Sequence, residues 1–479
     1  MTRVLEFVVA LIIVFVLAVI VGLFLPSHAH IERSIEISHN PQHIYDVLNN
    51  FRRFGDYGGG ALQALDPQVK YAMSGPAYGP GATLTWQGNN TIGDGKLVNK
   101  SGNIDLAGNS TVTWDLTNDW HGENKTFTFT VTPSHGQRVS TVTWGYDVDY
   151  GWNLIDRYSR LWIHGDPATM IQYGLDSLQN MLAGIPNVDY GKLEPGLYRT
   201  NATPMLLVST KATRTLDDID TAKAAALKQI EAAMAKLGVK AAGPTTTITT
   251  EWGDTTYTFD LAVPIDSTTL TIDGKPYDLT KLPPPPTGAA QAAPGSTSAA
   301  SAGSAAGASS AAGASSAGAP ASASSAGNEN GPAPGSLDKK NQLVVDANVR
   351  AVMFPASEVL EATWTGEAGI PLMRMALKAY ADTHGYQYDE NANRLYDQLT
   401  SQAGVPDSDQ VYRVFLPVVN APAQTPEQIS GRAKPLEALD PAIWSGEAKG
   451  ADNADKSDNA KKKPEARKRP AQAKKRHRR

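Results

Sequence analysis

The 479-residue chain contains no cysteine. This excludes disulfide scaffolds, Cys-ligated zinc or iron–sulfur centres, and a thiol nucleophile. It also lacks a Gly-Lys-Ser/Thr phosphate loop, a dinucleotide fingerprint, a Gly-x-Ser-x-Gly elbow and a His-Glu-x-x-His helix. The nine histidines are scattered. His39 and His43 stand four apart, but His39 precedes the helix, so no metal pair is expected from them. Asp147 and Asp149 alternate with Tyr on a strand, Asp176 lies on the outer side of a helix, and all three are expected to face solvent. No spacing names a nucleophile or general base, so no catalytic residue, cofactor or metal is expected. No helix-turn-helix pattern points to a specific nucleic-acid partner.

Charge of either sign is missing from Phe7 to Leu25, 19 residues long. As a helix at about 1.5 Å per residue this run spans roughly 28 Å, close to the hydrocarbon thickness of a bilayer. Pro26 stops it. Ser27 and Ala29 form a small-x-small pair that would suit signal-peptide cleavage, but the apolar stretch exceeds the usual 7–15 residues of such a segment. An uncleaved anchor over residues 1–29 is the expectation. The charges flanking it are few, and a long body after a first apolar segment normally translocates. For a bacterial protein this places the chain in the inner membrane as a single-pass protein with a periplasmic body.

Residues 30–190 read as an α+β unit. Ile31, Arg33, Ile35 and Ile37 alternate with Glu32, Ser34, Glu36 and Ser38, as on a strand. Asn40-Pro41 opens a helix with Ile44, Val47, Leu48 and Phe51 on one stripe. Four further segments alternate, beginning at Ala82, Thr111, Lys125 and Ser140, and Gly/Asn/Asp turns separate them. A helix from about Pro167 closes the unit, with Met170, Ile171, Leu175, Leu178 and Leu182 on one side. A curved antiparallel sheet around that helix would turn Trp86, Trp114, Phe127, Phe129, Trp144 and Tyr146 inward, a suitable lining for an apolar pocket.

Glu32-Arg-Ser-Ile-Glu-Ile, Ile44-Tyr-Asp-Val-Leu, Gly79-Pro-Gly-Ala-Thr-Leu-Thr-Trp, Ile92-Gly-Asp-Gly, Val142-Thr-Trp and Leu175-x-x-Leu occur in the order found in the START-like polyketide-cyclase (SRPBCC) superfamily. The chain resembles that superfamily over about 150 residues. The likeness implies a helix-grip fold that binds a small hydrophobic or amphipathic molecule, a membrane lipid among them, and implies no chemistry of its own. One departure is Tyr57, where relatives often carry Trp.

Residues 193–420 contain an internal repeat. Leu206-Leu-Val-Ser-Thr-Lys-Ala precedes a helix from about Ile219 to Leu237, capped by Asp217 or Asp218 and ended by Gly238. Two strands follow, from Thr245 and Thr256. Later Val359-Leu-Glu-Ala-Thr-Trp leads to a helix with Ile370, Met373, Leu377 and Tyr380, ended at Gly385, and a closing strand from Tyr412. Phe259–Ile265 and Tyr412–Val418 match at an offset of 153, which Leu207 and Leu360 share. Two such strand–helix–strand–strand units, 193–282 and 337–420, resemble the gyrase-inhibitor-like effector-binding domain. In that family a pocket between the halves takes amphipathic, often cationic molecules, and a Glu commonly stands on the closing strand. Here Arg413 stands there and Asp260 at the repeat-equivalent place. Either the two pair across the pseudo-twofold, or the ligand is neutral or anionic, or both side chains simply point to solvent.

Between the halves, residues 283–336 form an insert that begins Pro-Pro-Pro-Pro. Of the 40 residues Gly288 to Gly327, 36 are Ala, Gly or Ser. Nothing in it can bury enough apolar area to offset ordering, so a tether is expected. Residues 421–479 read as a disordered tail. Its last stretch, Lys461 to Arg479, holds 11 Lys/Arg and one Glu, leaving the rest with 32 basic and 47 acidic side chains. Such a tail suits an anionic surface, phospholipid or lipopolysaccharide. Altogether the sequence points to a membrane-anchored binding protein with two pocket-forming modules. Its rivals are a cyclase or hydrolase on a hydrophobic substrate, and an envelope tether.

Overall fold

The computed structural model describes residues 2–134, 139–283 and 332–419, apart from short gaps at 160, 162, 164–165, 192, 194, 389–393, 402–404 and 407. Most of the Ala/Gly/Ser insert and the whole basic tail therefore lie outside the described residues. The end of the insert is described, and there Gly335 N–H donates to Val344 O.

Helix α1, Thr2–Phe24, is apolar throughout, and nearly all its side chains are exposed. It is long and apolar enough to cross a membrane. Strand β1 (His28–Ile37) leads into α2 (Pro41–Leu48), whose N-cap Asn40 accepts from Gln42 N–H with Pro41 in the first turn. Two short helices follow, α3 (Phe54–Tyr57) and α4 (Gly59–Leu65). Then come β2 (Lys70–Ser74), β3 (Thr83–Gln87), β4 (Gly95–Ile104), β5 (Ser110–Asn118), β6 (Glu123–Ser134) and β7 (Val139–Asp149). They form an antiparallel sheet of order β1-β7-β6-β5-β4-β3-β2. A short α5 (Leu154–Ser159) precedes α6 (Asp166–Ala183), which lays Ile171, Leu175, Leu178 and Leu182 into the sheet with no exposure. Alternation along β5, β6 and β7 gives one face to this core and the other largely to Thr.

The second module opens with β8 (Gly196–Arg199) and β9 (Thr203–Thr213). Helix α7 (Leu216–Leu237) is capped by Thr215, whose side chain accepts from Asp218 N–H. The cap expected at Asp217 or Asp218 is corrected: those carboxylates occupy the first turn, where the positive end of the helix dipole favours them. Strands β10 (Thr246–Trp252) and β11 (Thr256–Pro264) are followed by a hairpin, β12 (Thr269–Ile272) and β13 (Lys275–Asp278). After the insert come β14 (Leu343–Val344), β15 (Val349–Phe354), β16 (Glu358–Thr365), α8 (Ile370–His384), β17 (Tyr396–Leu399) and β18 (Val411–Val418). The nine-stranded sheet runs β14-β15-β9-β11-β10-β17-β18-β16-β8. Its two halves mirror one another about the β10–β17 seam, where Thr247 lies opposite Asp397. Both helices end on a left-handed glycine, Gly238 and Gly385.

Helix α8 also packs on the first module: Ala376 and Ala379 belong to the same apolar core as Val47 and Leu48.

Candidate functional site

In the first module the strand register sorts the sheet into two ends. One carries the β6–β7 turn and the β4–β5 turn. The other carries the start of β1, the β5–β6 loop and the β3–β4 turn, since His28 pairs with Asp149 and Gly95 with Asn118. A cavity of about 280 Å³ opens at this second end, between α4, α6 and the sheet. Leu62, Leu65, Trp86, Ile92, Leu116 and Met170 give it an apolar wall, and Asn118, Trp120 and Tyr173 stand among its other neighbours. Trp120 is set by the β5–β6 loop, which the ammonium of Lys125 cross-links by donating to Asn118 O (2.5 Å) and Trp120 O (2.7 Å). Burial holds that ammonium below its ordinary pKa.

Of the six aromatics expected to line a pocket, Trp86 does so. The other five are placed differently. Trp114, Phe127, Phe129, Trp144 and Tyr146 are at most 2% exposed and pack on one another. Trp114 and Phe129 centroids lie 4.4 Å apart, Phe129 and Trp144 4.6 Å, Phe127 and Tyr146 5.4 Å. They fill the middle of the grip, because α2, α3 and α6 close over those positions and leave only the strand ends open. Leu62, Ile92 and Trp120, which do reach the cavity, lie in a short helix and in turns, where no periodicity singles them out.

Asp260 and Arg413 do not pair with one another, so that alternative does not hold. Asp260 accepts from Ser209 Oγ at 2.5 Å, its neighbour across β9–β11, and lies 3.9 Å from Arg394. Arg413 makes a two-pronged contact with Glu361 at 2.6 Å on each arm. The physical reason is the seam: β10 and β17 separate β11 from β18, so Asp260 bonds Ser209 on β9 and Arg413 bonds Glu361 on β16, each on a neighbouring strand.

A second cavity, about 290 Å³, lies over the seam between α7 and α8. Its walls carry Lys223 paired with Glu367, and Arg374 paired with Asp397. Arg374 also donates to Tyr257 Oη at 3.1 Å, and Arg214 stacks over Trp252 at 4.2 Å. Burial opposes the charge on Lys223, but Asp397 and Glu367 outweigh it, so its pKa is raised. Neither Asp260 nor Arg413 lines this cavity. These ion pairs join distant segments and leave no spacing in the sequence.

A third polar cluster ties the modules together. His43 Nε2–H donates to Val188 O (2.9 Å), which leaves its Nδ1 to accept from His39 (3.0 Å). Both rings are buried, and burial lowers His39 to about 4 and His43 to about 3. Tyr190 Oη donates to Asp46 Oδ2 (2.8 Å) and meets Thr383 Oγ1 at 2.7 Å, with His384 beside it. Burial raises Asp46 and lowers His384. Among the described residues no group of three or more His, Asp or Glu is arranged to hold a metal ion.

No protein-family model and no curated protein matches the chain. Among solved structures it is similar to a norcoclaurine synthase from Thalictrum flavum bound to a transition-state analogue, at 13% identity and TM-score 0.25, covering 33% of this chain and 94% of that one. It is also similar to a START superfamily protein from Mycobacterium smegmatis, at 9% identity and TM-score 0.23, covering 32% and 97%. A third, from Thermobifida fusca, stands at 18% identity and TM-score 0.24, covering 31% and 90%.

Proposed function

We propose that the chain is a single-pass membrane protein whose helix-grip module binds a small apolar or amphipathic molecule without transforming it. The observation that carries this reading is the cavity at the open end of the grip, walled by Leu62, Trp86, Leu116 and Met170. Burying about 300 Å² of ligand at ~25 cal/mol per Å² yields a gross gain of about 7 kcal/mol, which ordering costs reduce to micromolar affinity at best. In support of an anchor that stays attached, α1 is tied to the body. Arg157 donates to Leu23 O and Leu25 O, and Tyr158 to Ala18 O.

The test uses the full chain in lipid nanodiscs and the fluorescent amphiphile 1-anilinonaphthalene-8-sulfonate, with empty discs as the blank. Saturable binding that Met170→Trp reduces at least tenfold is expected. Binding that is absent, or that Met170→Trp leaves unchanged, overturns the reading. A C-terminal reporter active only outside the cytoplasm would place the body in the periplasm; activity inside would reverse that.

The second cavity supports a second, effector-like site in the duplicated module. Its buried ion pairs suit a zwitterionic or polar amphiphile better than a simple cation. The basic tail is proposed to rest on anionic lipid.

A further inference from the structure

The segment that follows β7 is inverted for a surface helix. In and around α5 the polar groups are already engaged: Asp156 pairs with His121 (2.9 Å), and the buried Arg157 spends its guanidinium on Gly151 O, Leu23 O and Leu25 O. The apolar side chains are turned out instead. Trp152 is 84% exposed, Ile155 73% and Leu161 61%. In a protein surrounded by water such a cluster is unfavourable, since burying these side chains would gain free energy.

Its position along α1 supplies the missing surroundings. Tyr158 reaches the carbonyl of Ala18, and Leu154 and Tyr158 lie against Gly22. Ala18 stands six residues, about 9 Å, before the end of α1. Helix α1, with 23 residues, is about 34 Å long against a hydrocarbon layer of roughly 30 Å. If α1 spans that layer, α5 sits several ångströms below the membrane surface. Amphipathic interfacial helices lie at about 5–10 Å, and Trp is favoured at that level.

We infer that Trp152, Ile155 and Leu161 form a membrane-seating surface, dipped into the headgroup–acyl boundary of the bilayer that α1 crosses. The body is thereby held against the lipid at a fixed orientation rather than swinging on a stalk. The cavity rim is at the same end of the sheet as this seat, so the site opens on the membrane side of the module. This rests on the anchor reading of α1, and the experiment separates the two.

Because the chain has no cysteine, single cysteines can be introduced without background. Leu11→Cys on α1, Ile155→Cys and Leu161→Cys on the seat, and Leu106→Cys on the β4–β5 turn at the far end would each carry an NBD fluorophore. The full chain is placed in phosphatidylcholine–phosphatidylglycerol vesicles and quenched by doxyl-labelled lipid or by aqueous iodide. Lipid quenching at positions 11, 155 and 161 at least twice that at 106, with the reverse order for iodide, is expected. Quenching at 155 and 161 that matches 106 while 11 remains in lipid overturns the seat and leaves the anchor standing. Iodide access at 11 overturns both. Retained binding of the naphthalene sulfonate probe by the labelled chains checks that they are folded.

Discussion

Tyr57 and Gly174 illustrate how single side chains set the shape of the grip. Tyr57 is fully buried, and its hydroxyl has no partner among the described residues. Burial of that hydroxyl pushes its pKa far above the ordinary phenol value. An unpaired buried hydroxyl costs about 1–3 kcal/mol, so Tyr57→Phe should raise thermal stability, or at least not lower it, in a melt of the full chain. A lower melting temperature would mean that the hydroxyl has a partner in solution. Gly174 presents the opposite case. A Cβ there would lie 2.4 Å from the Trp144 ring. Gly174→Ala should therefore destabilise by about 1–3 kcal/mol, although alanine is the better helix former. Alternation in the sequence identified which residues face inward, and Trp86 among them reaches the cavity. It could not tell a position under a helix from one at an open strand end, because that depends on where α4 and α6 lie. The burial of His39 and His43 is illegible for the same reason: His43 stacks on Tyr190 and bonds Val188 O, about 145 residues later.

At the scale of elements, the long periodic ones were legible and the short ones were not. Helices α2, α6, α7 and α8 carry apolar stripes, α7 and α8 end on glycine, and the repeat offset of 153 related β11 to β18. Strands β8, β13, β14 and β17 have two to four residues, too few for a period, and β8 and β17 are made by pairing with β16 and β10, far away in sequence. The start of α7 shows why caps need coordinates. Thr215 and the two acidic residues after it are all acceptable capping types, and only the backbone at Thr215 (φ −109°, ψ 149°) selects one. Thr215→Ala should cost about 1 kcal/mol by chemical denaturation, whereas Asp217→Asn should cost a few tenths.

For the whole molecule, the end of α8 is the joint. A helix C-terminus leaves carbonyls unpaired, and here the first module supplies the donors. Asn50 donates to Thr383 O (3.0 Å), Arg52 to His384 O (3.1 Å) and Arg53 to Asp382 O (3.4 Å), and the two cations complement the helix dipole. Removing Asn50 and Arg52 together should separate one thermal transition into two, read by calorimetry, whereas either change alone should lower a single midpoint. The same joint makes stability depend on pH. His39, His43 and His384 have pKa values lowered by burial, so the unfolded chain takes up protons first as pH falls below about 6.5. Stability from these groups is complete above that pH and is lost as pH falls toward 4. Asp46, raised by burial, works in the opposite direction, because its folded form keeps a proton that the unfolded form has released. Asp189 and Arg52, the other charges near the histidines, favour and oppose protonation respectively. Three groups lose stability and one gains it over this range, so stability should fall measurably from pH 6.5 to 4.5. His43→Gln keeps a donor for Val188 O while removing the titration. It should start less stable at pH 7 yet lose visibly less over that interval; a slope equal to the parent's would exclude the joint as the source of the acid sensitivity.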